Sequence, residues 1–140
     1  MSKPPRDLER AVQKSGNQIL MARFPIVLFR RNVTKRREVY KGKTRWVVNG
    51  SPGMADTYGW DAITGRHIEI EWKRLGERPN DEQIAWLRRC SCDGAIAFWV
   101  DNVDTALLVM GRLLHPRYYV VWFDNGDFDL RRSSTGEADV

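Results

Sequence analysis

The sequence predicts one mixed α/β domain, and three observations predict it. Leu8, Ala11, Val12, Ser15, Ile19 and Ala22 recur at helical spacing near the start of the chain. Ile68, Ile70 and Trp72 alternate with Glu69, Glu71 and Lys73, the two-residue period of a strand with one apolar and one charged face. Further apolar runs, Ala95 to Val100 and Tyr118 to Phe123, are only six residues long, whereas a membrane helix needs about 20. A chain of 140 residues, 42% hydrophobic and 11% aromatic, carries enough apolar surface for a core, and wholesale disorder is not expected.

Taken in order, the helical spacing predicts a first helix from Asp7 to Arg23, with Gly16 as its weak point. Pro25 ends it, and Ile26 to Phe29 reads as a short buried strand running into a basic loop. A second strand is expected over Arg45 to Val48, followed by the dense turn signal Asn49-Gly50-Ser51-Pro52-Gly53. Met54 to Ala62 and Arg66 to Lys73 flank Thr64-Gly65 as the arms of a hairpin. Asn80 or Asp81 can cap a helix that turns Ile84, Trp86 and Leu87 toward a core and ends near Asp93-Gly94. Ala95 to Val100 is a buried strand, Asp104 can cap a short helix through Leu114, and Tyr118 to Phe123 turns at Asn125-Gly126 into Phe128 to Leu130. Residues 1–132 are thus expected to form one domain, with a disordered tail at 133–140. The segment Met1 to Asp7 lacks the apolar stretch of a secretory signal, so a cytoplasmic location is expected.

Charge is unevenly distributed. Residues 1–50 hold thirteen Lys and Arg against three Asp and Glu, and the remainder is net acidic. Arg30, Arg31, Lys35, Arg36, Arg37, Lys41, Lys43 and Arg45 can form a positive surface for a nucleic acid; the plainer reading is a solvated loop. Two cysteines, Cys90 and Cys92, and two histidines, His67 and His115, are too few for a disulfide framework or a His-based zinc site. A metal would therefore sit on oxygen ligands.

The hairpin supplies such ligands. If Thr64-Gly65 closes a two-residue loop, Asp56 lies opposite Lys73; a four-residue loop sets Asp56 opposite Glu71. Both registers gather Asp56, Glu71 and Lys73 on one face. Two carboxylates beside an amine invite a hard cation such as Mg²⁺, and the amine can stabilise charge developing on phosphate. Taken alone, Glu69, Glu71 and Lys73 read more economically as the solvated face of an amphipathic strand. Tyr58 and Trp60 would suit stacking on an unpaired base, and a bulge near Gly59 would turn them toward the same face.

The ordered set Gly50-Ser51-Pro52-Gly53, Asp56, Glu71-Trp72-Lys73, then Gln83 with Trp86-Leu87, resembles the VRR-NUC branch of the PD-(D/E)XK nuclease superfamily. The resemblance covers residues 7–110 and is strongest over 50–100. It implies a restriction-endonuclease-like α/β core of order αβββαβ, here followed by a further helix and β-hairpin. It also implies a Mg²⁺-dependent DNA endonuclease, with Mn²⁺ able to substitute, selective for junctions or flaps and acting as a homodimer without membrane contact. By this resemblance Asp56, Glu71, the Trp72 carbonyl and Glu9 bind metal, Lys73 is the catalytic lysine, and Gln83 is the glutamine at the start of the helix behind the site. Ala55 departs from the proline many members place before the Asp, and Thr57 from the apolar residue after it. A restriction-like or nicking nuclease, or a non-catalytic nucleic-acid-binding module on the same fold, is the alternative.

Overall fold

The computed structural model describes residues 5–31, 35–48 and 52–134, and among these the side chains of 9–31, 39, 41–44 and 52–134. Helix α1 spans Pro5–Arg23 and leads through a short turn into β1, Ile26–Arg30. Strands β2, Lys35–Tyr40, and β3, Lys43–Val48, come next, then β4, Thr57–Asp61, and β5, His67–Trp72. Helix α2, Asp81–Cys92, connects β5 to the parallel strand β6, Ile96–Val100, the crossover that parallel neighbours require. Helix α3, Val103–Leu113, and the hairpin β7, Tyr118–Trp122, with β8, Phe128–Arg132, complete the chain. No described helix is long and apolar enough to cross a membrane.

The central sheet is mixed, with order β1-β4-β5-β6. One face carries Ile26 and Leu28, Ile68, Ile70 and Trp72, and Ile96, Phe98 and Val100, all in one core with Leu20 of α1 and Ala106, Val109, Met110 and Leu113 of α3. The opposite face is covered over β5 and β6 by α2, where Leu87 and Ala97 are buried with Ala55. The β7–β8 hairpin adds no strand to the central sheet. Its Val120, Phe128 and Leu130 pack against the main core, and Phe128 meets Trp99 edge-on.

Five expectations need correction. Of the expected stripe of α1, Val12 packs against the core, but the buried residues are Gln13, Gly16, Asn17 and Leu20, whereas Ala11, Ser15, Ile19 and Ala22 face outward. Polar residues occupy the inner stripe because strand groups partner them. A Cβ on Gly16 would lie 2.4 Å from the Trp72 ring, so this glycine permits close packing of helix on sheet.

The supposed basic loop is a two-stranded ribbon separate from the central sheet. Lys41 and Gly42, both with positive φ, close it as a two-residue turn with Tyr40 opposite Lys43. Strand β1 is not a continuously buried run, since Phe29 is exposed. Helix α3 is capped by Asn102, whose side chain accepts from the Thr105 N–H at 2.8 Å, not by Asp104. No bulge interrupts the ladder at Gly59, where register runs evenly from Thr57↔Ile70 to Trp60↔His67.

Candidate functional site

The four-residue loop is the one that forms. Asp61 accepts from the Ile63 N–H at 2.8 Å and the Thr64 hydroxyl at 2.9 Å, which ties the turn over residues 62–65. Counting back along the ladder sets Asp56 beside Glu71, and the Asp56 N–H donates to Glu71 Oε2 at 2.9 Å. From the other side, Glu9 of α1 brings its carboxylate in. One oxygen each from Glu9, Asp56 and Glu71 lie within 4.8 Å of one another.

Each group is held by a partner. Asp56 Oδ2 accepts from Gln13 Nε2 at 2.7 Å, one helical turn beyond Glu9, and from the Trp72 N–H at 3.2 Å. Asn17 lies a further turn along α1; it donates to the Thr57 hydroxyl at 3.1 Å and accepts from Trp72 Nε1 at 2.9 Å. Thr57, wholly buried, is thus tolerated in place of an apolar residue because its hydroxyl is partnered. Gly53, with φ +78°, lets the incoming loop pass against the start of α2, where a Cβ would lie 2.4 Å from the Glu82 carbonyl oxygen.

Gln83 serves two purposes. Its Oε1 accepts from the Asn80 N–H at 3.0 Å in a capping box, which leaves its Nε2 to donate to Glu71 Oε1 at 2.9 Å. Lys73 Nζ lies 3.4 Å from that same Glu71 oxygen. What the structure adds for Trp72 is a buried ring and an N–H directed at Asp56.

The electrostatics are strained in one direction. Burial, then the neighbouring Glu71 charge, holds the Asp56 carboxyl well above the ordinary carboxylate range, although the Trp72 N–H opposes this. Burial pushes Glu71 up to about 7 against the pull of Lys73. A nearly enclosed group of carboxylates with one lysine is deficient in positive charge, and its donors are all hard oxygens. That donor set fits a small divalent cation such as Mg²⁺ and does not fit a thiophilic metal. Cys90 and Cys92 sit at the other end of α2, and burial pushes the Cys90 thiol up to about 11, so it stays protonated.

Comparison with known proteins gives no family. No family model matches this chain, and no curated protein matches it either.

Beside the carboxylates is a buried network that sequence reading missed. The charged face of β5 is not solvated, since Glu69 is fully buried and Glu71 nearly so. Arg31 clasps Glu69 with two bonds, Nη1 to Oε1 at 2.7 Å and Nη2 to Oε2 at 3.0 Å. Trp86 Nε1 donates to Oε1 at 2.7 Å, and His67 Nε2 lies 2.7 Å from Oε2. Arg31, expected on the basic surface, is therefore drawn inward. Its Nη1 also donates to the Ala55 carbonyl at 2.8 Å and its N–H to the Asp56 carbonyl at 2.7 Å, so it fixes the backbone that presents Asp56. The only sequence signal was a third acid, Glu69, on the strand face that carries Glu71.

Of the other basic residues, Arg30 and Lys43 are exposed. The side chains of Lys35, Arg36, Arg37 and Arg45 lie outside the described residues, as do Gly50, Ser51 and the tail over 135–140. Lys35, Arg36, Arg37, Lys43 and Arg45 share the β2–β3 ribbon.

Proposed function

We propose that this chain is a Mg²⁺-dependent DNA endonuclease with a PD-(D/E)XK core of the VRR-NUC kind. The observation that carries the reading is the convergence of Glu9, Asp56 and Glu71 within 4.8 Å, with Lys73 Nζ 3.4 Å from Glu71. Setting the ribbon aside, the order α1, β1, β4, β5, α2, β6 agrees with the αβββαβ core. Asp56, Glu71, Glu9 and the Trp72 carbonyl would hold Mg²⁺ or Mn²⁺. When bound, the ion would supply Lewis acidity at the phosphoryl group and make water a usable nucleophile near neutral pH.

The protein's own groups do the rest. Gln13 and the Trp72 N–H hold the Asp56 carboxylate, while Gln83 holds Glu71 so that both acids keep one orientation. Lys73 Nζ lies beside Glu71, where it would oppose the negative charge that builds on phosphate during in-line attack. Arg30 and the ribbon residues Lys35, Arg36, Arg37, Lys43 and Arg45 would neutralise the DNA backbone away from the cleaved bond. Junctions and flaps are the proposed substrates, and a homodimer the proposed form, since a twofold pair of sites matches paired scissile phosphates.

The test is incubation of pure protein with four-way junction, flap, single-stranded and duplex DNA, in Mg²⁺ or in EDTA. Cleavage should need the metal and should vanish in Asp56→Ala and Glu71→Ala while binding persists. Undiminished turnover in either variant would overturn the site. Light scattering on the same preparation reads the stoichiometry, and a monomer both free and with junction DNA would remove the paired-site form.

A further inference from the structure

Helix α2 covers only half of its face of the central sheet. It lies over β5 and β6, and the β1–β4 half carries aromatic rings toward solvent instead. Phe29 is 45% exposed and Trp60 is 42% exposed, and the half-buried Tyr58 lies opposite Phe29 in the ladder. The Phe29 ring centroid lies 5.8 Å from that of Tyr58 and 5.6 Å from that of Trp60. Phe29 touching both other rings on an open sheet face makes a ledge, and exposing such a ledge forfeits burial that would otherwise favour folding.

The edge of the ledge carries polar groups. The Arg31 guanidinium, clasped to Glu69, sits 4.7 Å from the Tyr58 ring centroid, and the half-exposed His67 lies opposite Trp60 in the ladder. The ledge also starts at the carboxylate site. Tyr58 pairs with Glu69, which is one same-face step of about 7 Å along β5 from Glu71.

We infer that this ledge, Phe29, Tyr58 and Trp60, is a stacking platform for an unpaired nucleic-acid strand leading into the carboxylate site. Rings offer a π-face to any base that is not already stacked in a duplex. A duplex keeps its bases inside and gains nothing from the rings. The inference deepens the nuclease reading and rests on it for the direction in which the strand runs. It assigns the preference for flaps and junctions to named side chains.

Binding in EDTA tests the ledge apart from cleavage. Fluorescence anisotropy would follow the protein on a labelled oligothymidylate and on a blunt duplex of equal length. Phe29→Ala and Trp60→Ala should each weaken oligothymidylate binding about tenfold and leave duplex binding within about twofold. Trp60→Phe, which keeps a ring, should retain most of the affinity. Both rings lie at the surface, so melting curves should match the parent. Equal losses on both DNAs, or no loss on either, would overturn the platform. So would a double Ala variant that light scattering shows to be monomeric where the parent is dimeric, because the face would then be a subunit contact. Absence of cleavage in Mg²⁺ with the selective loss intact would sink only the nuclease reading.

Discussion

In EDTA the folded chain should lose stability as pH rises from about 5 to about 8. Glu71 ordinarily titrates at 4.5 and is pushed up to about 7 in the folded protein. A carboxyl that titrates higher when folded binds more protons in the folded state, so stability is greatest below the unfolded value and declines through the folded one. The interval corresponds to on the order of 3 kcal/mol. Asp56 is raised also and acts in the same sense. Asp61 and Asp101 are lowered by the hydrogen bonds they accept, but that contribution is lost only as pH falls through the acid range and is complete before this window opens. With a urea slope of about 2 kcal/mol/M, the unfolding midpoint should fall by about 1.5 M across the window. Mg²⁺ should restore the midpoint near the alkaline end and leave it unmoved at the acid end, where the ligands are protonated. Glu71→Gln removes the titrating group, so the slope against pH should flatten whatever the absolute stability. A flat parent curve in EDTA, or an unchanged slope in the variant, would refute the electrostatic account of the site.

Three further outcomes follow from particular contacts. Lys73→Ala should reduce the cleavage rate far more than DNA affinity, measured by single-turnover kinetics beside anisotropy, and equal losses would make Lys73 a phosphate anchor. Glu69→Leu leaves the buried Arg31 guanidinium without its counter-charge, so chemical denaturation should show a loss of about 3 kcal/mol or more; a change under about 1 kcal/mol would show that the clasp adds little. Gly16→Ala should destabilise by about 1–3 kcal/mol although alanine is the better helix former, because the added Cβ meets the Trp72 ring; a gain in melting temperature would show that the ring yields.

The β4–β5 hairpin was legible because strand alternation and turn residues are local, and the side chains on either side of Thr64-Gly65 could be assigned to faces. The register was not, since it turned on whether Asp61 could tie the loop through its own carboxylate. Helix α1 was legible as a helix and misread as to its buried face. Apolar spacing favours Ala11, Ser15 and Ile19, but Gln13 and Asn17 are buried because Asp56, Thr57 and Trp72, some 40 or more positions away in sequence, satisfy them. Partners that distant leave no local pattern. The same holds for Glu69, whose strand position announces a charge but not the Arg31, Trp86 and His67 that enclose it. Of the basic ribbon, β3 was legible over Arg45 to Val48, but β2 was missed because Lys, Arg and Glu are poor indicators of strand.

That ribbon leaves and re-enters the domain at a single point. Arg30 pairs with Thr57, and the Arg31 N–H bonds the Asp56 carbonyl, so the two ends of the excursion are clamped side by side by the ladder between β1 and β4. Lengthening a segment whose ends are already held together costs only a logarithmic entropy increment. The stretch between Arg31 and Pro52 can therefore change in size, charge or sequence while the anchor points stay where they are. A lineage carrying this fold could exchange the ribbon as a cassette, and change the charge it presents, without rewriting the helices and strands that hold Glu9, Asp56 and Glu71 together.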